Sequence, residues 1–234
     1  MCIRDRNTGR LLEFELGPGM LNSVFDGLQR NLKPVGDELF MKRGKGLGGL
    51  EQKPWEFKPL VKKGQEVKPG QAIGSVKEGP IEHMIMSQLE KKAVVDDIYD
   101  GKFKPSDVVA VIGKNEVTMS HRWPVRRIRP GMKLVPEDLF ITGQRVIDTL
   151  FPLAMEGSGL VPGGFGTGKT QLLFQFVKHA PVEVVIYVGC GERGNEIVQL
   201  MHELQELKKG DMQLIERTIL LANTSNMPVA ARSA

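Results

Sequence analysis

The sequence contains little cysteine, little aromatic residue and no long apolar run, and each shortage excludes a class of protein. Cys2 and Cys190 are the only cysteines in 234 residues, too few for a disulfide scaffold or a four-cysteine zinc site. No stretch approaches the roughly 20 apolar residues that span a bilayer as a helix. The N-terminus carries no apolar signal-like segment, so an intracellular protein is expected. Aromatic residues make up 6% of the chain and form no ladder beside the basic residues, which argues against a nucleic-acid stacking surface. His202-Glu203-Leu204-Gln205-Glu206 lacks the second histidine of a metalloprotease helix. His83, His121, His179 and His202 show no metal-ligand spacing, so solvated or hydrogen-bonded roles are expected for them. The net charge of +4 is a weak pointer to an anionic partner.

What remains is globular: 41% hydrophobic and 26% charged, with 27 glycines and 14 prolines that signal tight turns. By length, the chain amounts to one or two domains of ~150 residues. Its texture changes three times. Residues 1–41 mix short apolar segments with turns. Residues 42–115 are rich in Lys, Gly and Pro. There Val61 to Val76 reads as short strands joined at Gly64 and Gly70, and Val108–Ile112 as a closing strand. Residues 116–140 read as a connector, with Pro124, Pro130 and several arginines. From residue 141 strands alternate with helices. A short apolar segment ends at Gly159-Leu160-Val161-Pro162, and a helix is expected over Lys169–His179. A strand follows over Val182–Val188, a helix over Asn195–Lys208 and a strand over Thr218–Ala222. That alternation predicts an α/β fold with a parallel sheet.

Gly163-Gly164-Phe165-Gly166-Thr167-Gly168-Lys169-Thr170 has the spacing of a phosphate-binding P-loop. The glycines let backbone N–H groups converge on phosphate oxygens, and the following helix adds the positive end of its dipole. Lys169 brings a point charge to the β- and γ-phosphates, and Thr170 brings a hydroxyl for Mg²⁺. The competing reading is a glycine-rich turn with an exposed lysine; placement between a predicted strand and a predicted helix argues against it. The strand over 182–188 runs into Cys190-Gly191-Glu192-Arg193-Gly194-Asn195-Glu196, just past the carboxyl end where parallel sheets hold ligands. From there Glu192 can polarise a water and Arg193 can meet developing negative charge. A surface loop with an incidental Glu-Arg pair explains the same residues equally well on position alone.

These motifs, taken with Ile141 to Pro152, Asn223 to Arg232, Glu15 to Met20 and Phe25 to Arg30, resemble the catalytic A-subunit family of V-type and archaeal-type rotary ATPases. The resemblance runs in order over nearly everything from Asn7 onward. It implies a RecA-like P-loop domain over 141–234, an all-β, barrel-sandwich-like insert over 42–115, a linker over 116–140 and the end of an N-terminal β-barrel over 1–41. It further implies binding of ATP or ADP with Mg²⁺, and ATP hydrolysis or synthesis in a head of alternating A and B subunits. Central- and peripheral-stalk subunits complete that complex, which moves protons or sodium ions across a membrane from its cytoplasmic side. Membrane contact is made only through the rest of the complex, and no nucleic-acid partner is expected. Carried over by position, Lys169 and Thr170 bind phosphate and metal, Glu192 orients the attacking water, and Arg193 joins the γ-phosphate network.

The chain departs from the family at two points. The family commonly has proline at the position of Gly164, and Met1–Arg6 match nothing in its pattern, which suggests foreign sequence there. The strand over 218–222 ends in Asn223 rather than in the aspartate that steadies Mg²⁺ in such sites, so the chain is expected to be a fragment with an incomplete sheet. Two other functions compete. The Gly64 and Gly70 turns resemble those of biotin and lipoyl carriers, yet Met84-Ile85-Met86 has no lysine to modify. An RNA helicase of the same P-loop superfamily would use the same loop, but the dispersed basic residues do not favour it.

Overall fold

The computed structural model describes residues 9, 11–32, 49–129, 135–164, 166–210 and 212–227. Met1–Arg6, Phe165, Pro130–Gly131 and Pro228–Arg232 lie outside them. The chain opens with β1 (Glu13–Leu16), the turn Gly17-Pro18-Gly19 and β2 (Ser23–Phe25). Eight short strands follow: β3 (Trp55–Pro59), β4 (Glu66–Val67), β5 (Ala72–Glu78), β6 (Ile81–Met86), β7 (Ala93–Ile98), β8 (Gly101–Phe103), β9 (Val108–Ile112) and β10 (Asn115–Thr118). They form two four-stranded sheets, ordered β6-β5-β3-β8 and β10-β9-β7-β4, in which every pairing is antiparallel.

The strands alternate as half-buried strands should. Trp55 and Phe57 of β3 point inward while Glu56 and Lys58 point out. Phe57, Val67, Ile73, Val109, Ala110 and Ile112 are fully enclosed in one core. Each large apolar side chain among them contributes about 1.5–3 kcal/mol by leaving water. Close packing explains Gly74: a Cβ there would lie 2.2 Å from the Phe57 ring, so the ring occupies the space a side chain would need.

The expected connector begins as part of this β region. β10 completes the second sheet, and β11 (His121–Pro124) runs antiparallel to β1, with Leu16 opposite His121 and Glu13 opposite Pro124. Pro124 is compatible with a strand because it ends a two-stranded ribbon, where its missing N–H costs no internal ladder bond.

Beyond residue 135 come β12 (Leu139–Phe140), α1 (Arg145–Leu150), β13 (Leu153–Ala154), α2 (Lys169–His179), β14 (Val185–Glu192), α3 (Gly194–Glu206), β15 (Lys208–Lys209), β16 (Met212–Gln213), a 3-10 turn (Leu214–Arg217) and β17 (Thr218–Thr224). β14, α3 and β17 make a strand–helix–parallel strand unit. Ile197, Leu200 and Leu204 of α3 pack with Phe174 of α2 and with Leu220 and Ala222 of β17. Arg217 is 2% exposed and donates to the carbonyls of Val182 and Val177, fastening the end of α2 to the 3-10 turn.

Two expectations need correction. Gly159–Pro162 forms no strand, and Leu160 is 87% exposed. Among the described residues no strand pairs with this segment, and Pro162 has no N–H to offer one, so its backbone groups have no ladder to join. The third strand of the parallel sheet is instead β2, from the segment read as the end of a barrel: the order is β14-β17-β2. Val24 and Phe25 are buried there, and the Asn223 side-chain carbonyl accepts the Gly27 N–H at 2.7 Å. The β insert is tied to the same strand. Glu78, at the end of β5, accepts the N–H groups of Gly19 and Leu21 on one carboxylate oxygen and meets His83 with the other.

Candidate functional site

The P-loop leads directly into α2. Gly168 precedes the helix in the left-handed region at φ +81° and Gly166 sits at +74°, conformations that only glycine adopts without strain. The Lys169 ammonium folds back over the loop and donates to the Gly163 carbonyl at 2.6 Å, while the Thr167 hydroxyl donates to the Gly164 carbonyl at 2.9 Å. The loop is thus a closed turn whose lysine can exchange a carbonyl oxygen for a phosphate oxygen. A Cβ at Gly164, Gly166 or Gly168 would meet nothing within 4 Å, so the outer side of the loop is open to a ligand. Thr170 is exposed on the first turn of α2, next to Lys169.

Glu192 is aimed by a bulge. Along β14, Tyr187 and Gly189 turn toward the helices while Ile186, Val188 and Cys190 face away. Strict alternation would turn Glu192 away as well. The register against β17 slips here, pairing Cys190 with Asn223 and Glu192 with Thr224 and skipping Gly191, which sits at φ +74°. The extra residue returns Glu192 to the helix side. A Cβ on Gly189 would lie 3.1 Å from Glu192 Cγ and 2.8 Å from Ile197 Cδ1. The Ser225 N–H donates to the Glu192 carbonyl at 2.9 Å and holds the strand end against β17.

The carboxyl of Glu192 is pushed above the usual carboxylate range, first by a hydrogen bond with the Glu196 carboxyl, then by burial and by the Glu196 charge. The positive charge of Lys169 acts weakly in the opposite direction. Arg193 occupies the N-cap position of α3 in an extended conformation, and its carbonyl accepts the Glu196 and Ile197 N–H groups. The structure therefore sets Glu192 beside Glu196 at the start of α3, while Lys169 lies at the start of α2 against the Gly163 carbonyl. Phe165 lies outside the described residues.

Glu196 is the member of this group that the sequence reading did not assign. Its signal was available: an acid four residues after Glu192, in the first turn of a helix, where a negative charge suits the dipole. A second unassigned cluster lies at the far end of α2. Asp148 accepts the Thr142 hydroxyl and the Thr142 and Gly143 N–H groups, and these bonds hold its carboxyl below the usual range. A Cβ on Gly143 would lie 2.5 Å from the His179 ring, so this turn packs directly on the last residue of α2. Among the described residues, no cluster of three His, Cys, Asp or Glu side chains is built to hold a metal ion.

Comparison with known proteins follows the same division of the chain. Residues 50–126 match the ATPsynthase alpha/beta subunit barrel-sandwich domain, and residues 143–234 match the nucleotide-binding domain of the ATP synthase alpha/beta family. The first of these places β10 and β11 with the insert rather than in a linker. The chain is 49% identical over 238 residues to the A subunit of the A-type ATP synthase of Methanothrix thermoacetophila, covering 98% of this chain and 41% of that protein. It is 48% identical over 244 residues to the protein of the same name from Methanopyrus kandleri, again covering 98% and 41%. It is 47% identical over 242 residues to a V-type ATP synthase alpha chain from a Thermoanaerobacter strain, covering 97% and 41%. The chain therefore spans about 41% of the length of these curated relatives. A solved ATPase from the type III secretion system of pathogenic bacteria aligns over 94% of this chain and 40% of its own, at 17% identity and a TM-score of 0.45, too distant to bear on the site. With a barrel-sandwich insert, a nucleotide-binding region and these relatives in agreement, the chain belongs to the ATP synthase alpha/beta family.

Proposed function

We propose that this chain supplies the phosphate-binding half of a catalytic site for ATP hydrolysis or synthesis in a rotary ATPase of the V or A type. The observation that supports the proposal most directly is the glycine-rich loop from Gly163 to Thr170 running straight into α2, with Lys169 at the helix start. The bulge at Gly191 adds to it by turning the Glu192 side chain to the helix side of the strand end. Lys169 leaves the Gly163 carbonyl for the β- and γ-phosphates, and the N–H groups from Gly163 to Thr170 surround those oxygens. Glu192 holds and orients the attacking water for in-line displacement, and Arg193 meets charge that develops on the γ-phosphoryl oxygens. Thr170 is the hydroxyl on this chain that fits Mg²⁺, which neutralises phosphate charge when bound with the nucleotide. A metal held mostly by substrate oxygens needs no protein cage, in keeping with the donors found here.

In this reading the partners are B subunits alternating with their A counterparts in a hexameric head, together with central- and peripheral-stalk subunits. The head sits at the cytoplasmic side of the membrane and drives proton or sodium movement. No helix among the described residues is long and apolar enough to cross a bilayer. The carrier alternative has no support in the geometry: Met84–Met86 lies within β6 with Ile85 buried, not in an exposed turn. The helicase alternative is disfavoured by relatives named as ATP synthase subunits.

The test uses the assembled complex. Glu192→Gln should keep nucleotide binding and lose turnover by about 10²–10⁴-fold, the usual share of a general base. Lys169→Ala should weaken nucleotide binding itself. Near-wild-type turnover by Glu192→Gln would remove Glu192 from the mechanism. The chain on its own should show negligible ATP turnover.

A further inference from the structure

Away from the P-loop, a cavity of about 600 Å³ lies where the β insert meets the β1–β11 ribbon. Its walls differ in kind. Consecutive residues from His83 to Gln88 line one side, which is the edge of β6 rather than one of its faces. β6 is terminal in its sheet, and no strand among the described residues pairs with its outer edge. The opposite wall presents alternate residues of β11, His121 and Trp123, and so is a strand face. Met20, Met84, Met86 and Met119 supply much of the apolar lining, and unbranched thioether side chains adapt to varied partners.

Three observations indicate what fits. An exposed edge is normally guarded by lysine or proline, yet Ile81-Glu82-His83-Met84-Ile85-Met86 contains neither. The Trp123 ring carries two guanidinium groups, Arg127 at 5.4 Å and Arg129 at 5.2 Å, and its indole N–H donates to the Arg127 carbonyl at 2.7 Å. Stacked guanidinium groups keep their N–H edges free for a carboxylate. Arg127 has Glu90 at 4.0 Å, an exposed pair that solvent screens. His121 lines the cavity with its ring, while its Nε2 is enclosed beneath the surface. Burial, and secondarily Arg129, holds that imidazole neutral with its pKa lowered to about 4, so the cavity's positive charge resides on the arginines.

We propose that this groove docks an extended, acid-bearing apolar segment of another polypeptide, which adds as a strand to the edge of β6 and sets a carboxylate on Arg127 and Arg129. The six residues of β6 offer ~20 Å of edge, enough for several ladder bonds. Alternate apolar side chains of the segment enter the methionine lining. A small amphiphile would use the lining and the arginines but not the row of backbone N–H and C=O groups, which is why a peptide is the better match.

The test is selection of random phage-displayed heptapeptides on the full chain, followed by synthesis of the enriched sequences. The expected winners alternate apolar residues and carry at least one Asp or Glu. They should slow amide hydrogen exchange along residues 82–86 and weaken at least tenfold on the paired change Arg127→Gln and Arg129→Gln. Both arginines are exposed, so the fold survives that change, and unaltered thermal unfolding of the variant checks it. Replacing the acid of the peptide by its amide should cost a similar factor. Failure to enrich any sequence would overturn the proposal, as would winners without an acid or protection mapping elsewhere. Decanoate binding as tightly as the best peptide would overturn it too, by making the groove a pocket for fatty carboxylates.

Discussion

The β insert and the nucleotide-binding region solve the same burial problem at different ranges along the chain. The insert closes its core with residues 55 to 119 alone, and Phe57, Val67, Ile73, Val109 and Ile112 reach zero exposure within it. The parallel sheet recruits β2 from nearly two hundred residues upstream to flank β17, and its first strand still leaves Ile186 61% and Val188 51% exposed. Antiparallel hairpins bring partners together within a few residues, whereas parallel strands depend on crossovers and distant segments. The insert is therefore locally self-sufficient, and the phosphate-binding loop rests on a sheet assembled from remote pieces.

The largest expected effect breaks the self-sufficient side. Phe57→Ala removes a fully enclosed ring packed against Gly74, and should cost the insert about 3–5 kcal/mol. Trp55, in the same core, reports that loss as a lower urea midpoint of its fluorescence in a Trp123→Phe background. If the two regions are independent, nucleotide binding by the P-loop should hold at urea concentrations where the Phe57→Ala insert has unfolded. Simultaneous loss of both would show that the Glu78 contacts to Gly19 and Leu21 couple the insert to β2 tightly enough to carry the whole sheet down.

A smaller effect probes the remote side. Asn223 is 5% exposed and gives its side-chain carbonyl to the Gly27 N–H, the bond that holds the chain just after β2. Asn223→Ala leaves that donor without its partner and should cost about 1–3 kcal/mol. Its signature is positional: amide exchange should quicken at Val24 and Phe25 while Ile73 and Val109 keep their protection. Equal quickening in both regions would mean that the sheet and the insert open as one unit.

The same contrast explains what was legible in the sequence. α2 matches its expected span because Leu172, Leu173, Phe176 and Val177 repeat at helical spacing and the P-loop glycines mark its start. β9 was legible as a β-branched run and β17 as a short apolar one. β2 was not, because three residues carry no period and their partner is Ile219–Leu221, far along the chain. The segment before the P-loop misled for the complementary reason: Gly159–Pro162 has an apolar, strand-like composition, but strand formation depends on a neighbour that composition cannot reveal. In the proposed site, the places of Lys169 at a helix start and of Glu192 at a strand end were legible from the motif and the strand–helix alternation. The slip at Gly191 that turns Glu192 inward was not, since a bulge is a property of the register between two strands.

The smallest effect tests that inward turn through pH. Glu192 has its carboxyl raised above the usual 4.5 by the hydrogen bond with Glu196, by burial and by the Glu196 charge, against the opposing pull of Lys169. In the pH range above 4.5 the folded state therefore holds more proton than the unfolded chain does at this position, and stability falls as pH rises. The contribution is present below the unfolded value and lost as pH climbs through the raised one. Glu196→Gln removes the neighbouring charge and should flatten this part of the profile, measured as the change in thermal midpoint between mildly acidic and neutral buffer. The change is confined to the nucleotide-binding region, because Glu192 and Glu196 belong to the strand end and helix start that the sheet positions, and the urea midpoint of the insert should not move. A profile unchanged by Glu196→Gln would mean that the two carboxyls do not share a proton. Glu192 would then stand at the end of β14 as an ordinary carboxylate.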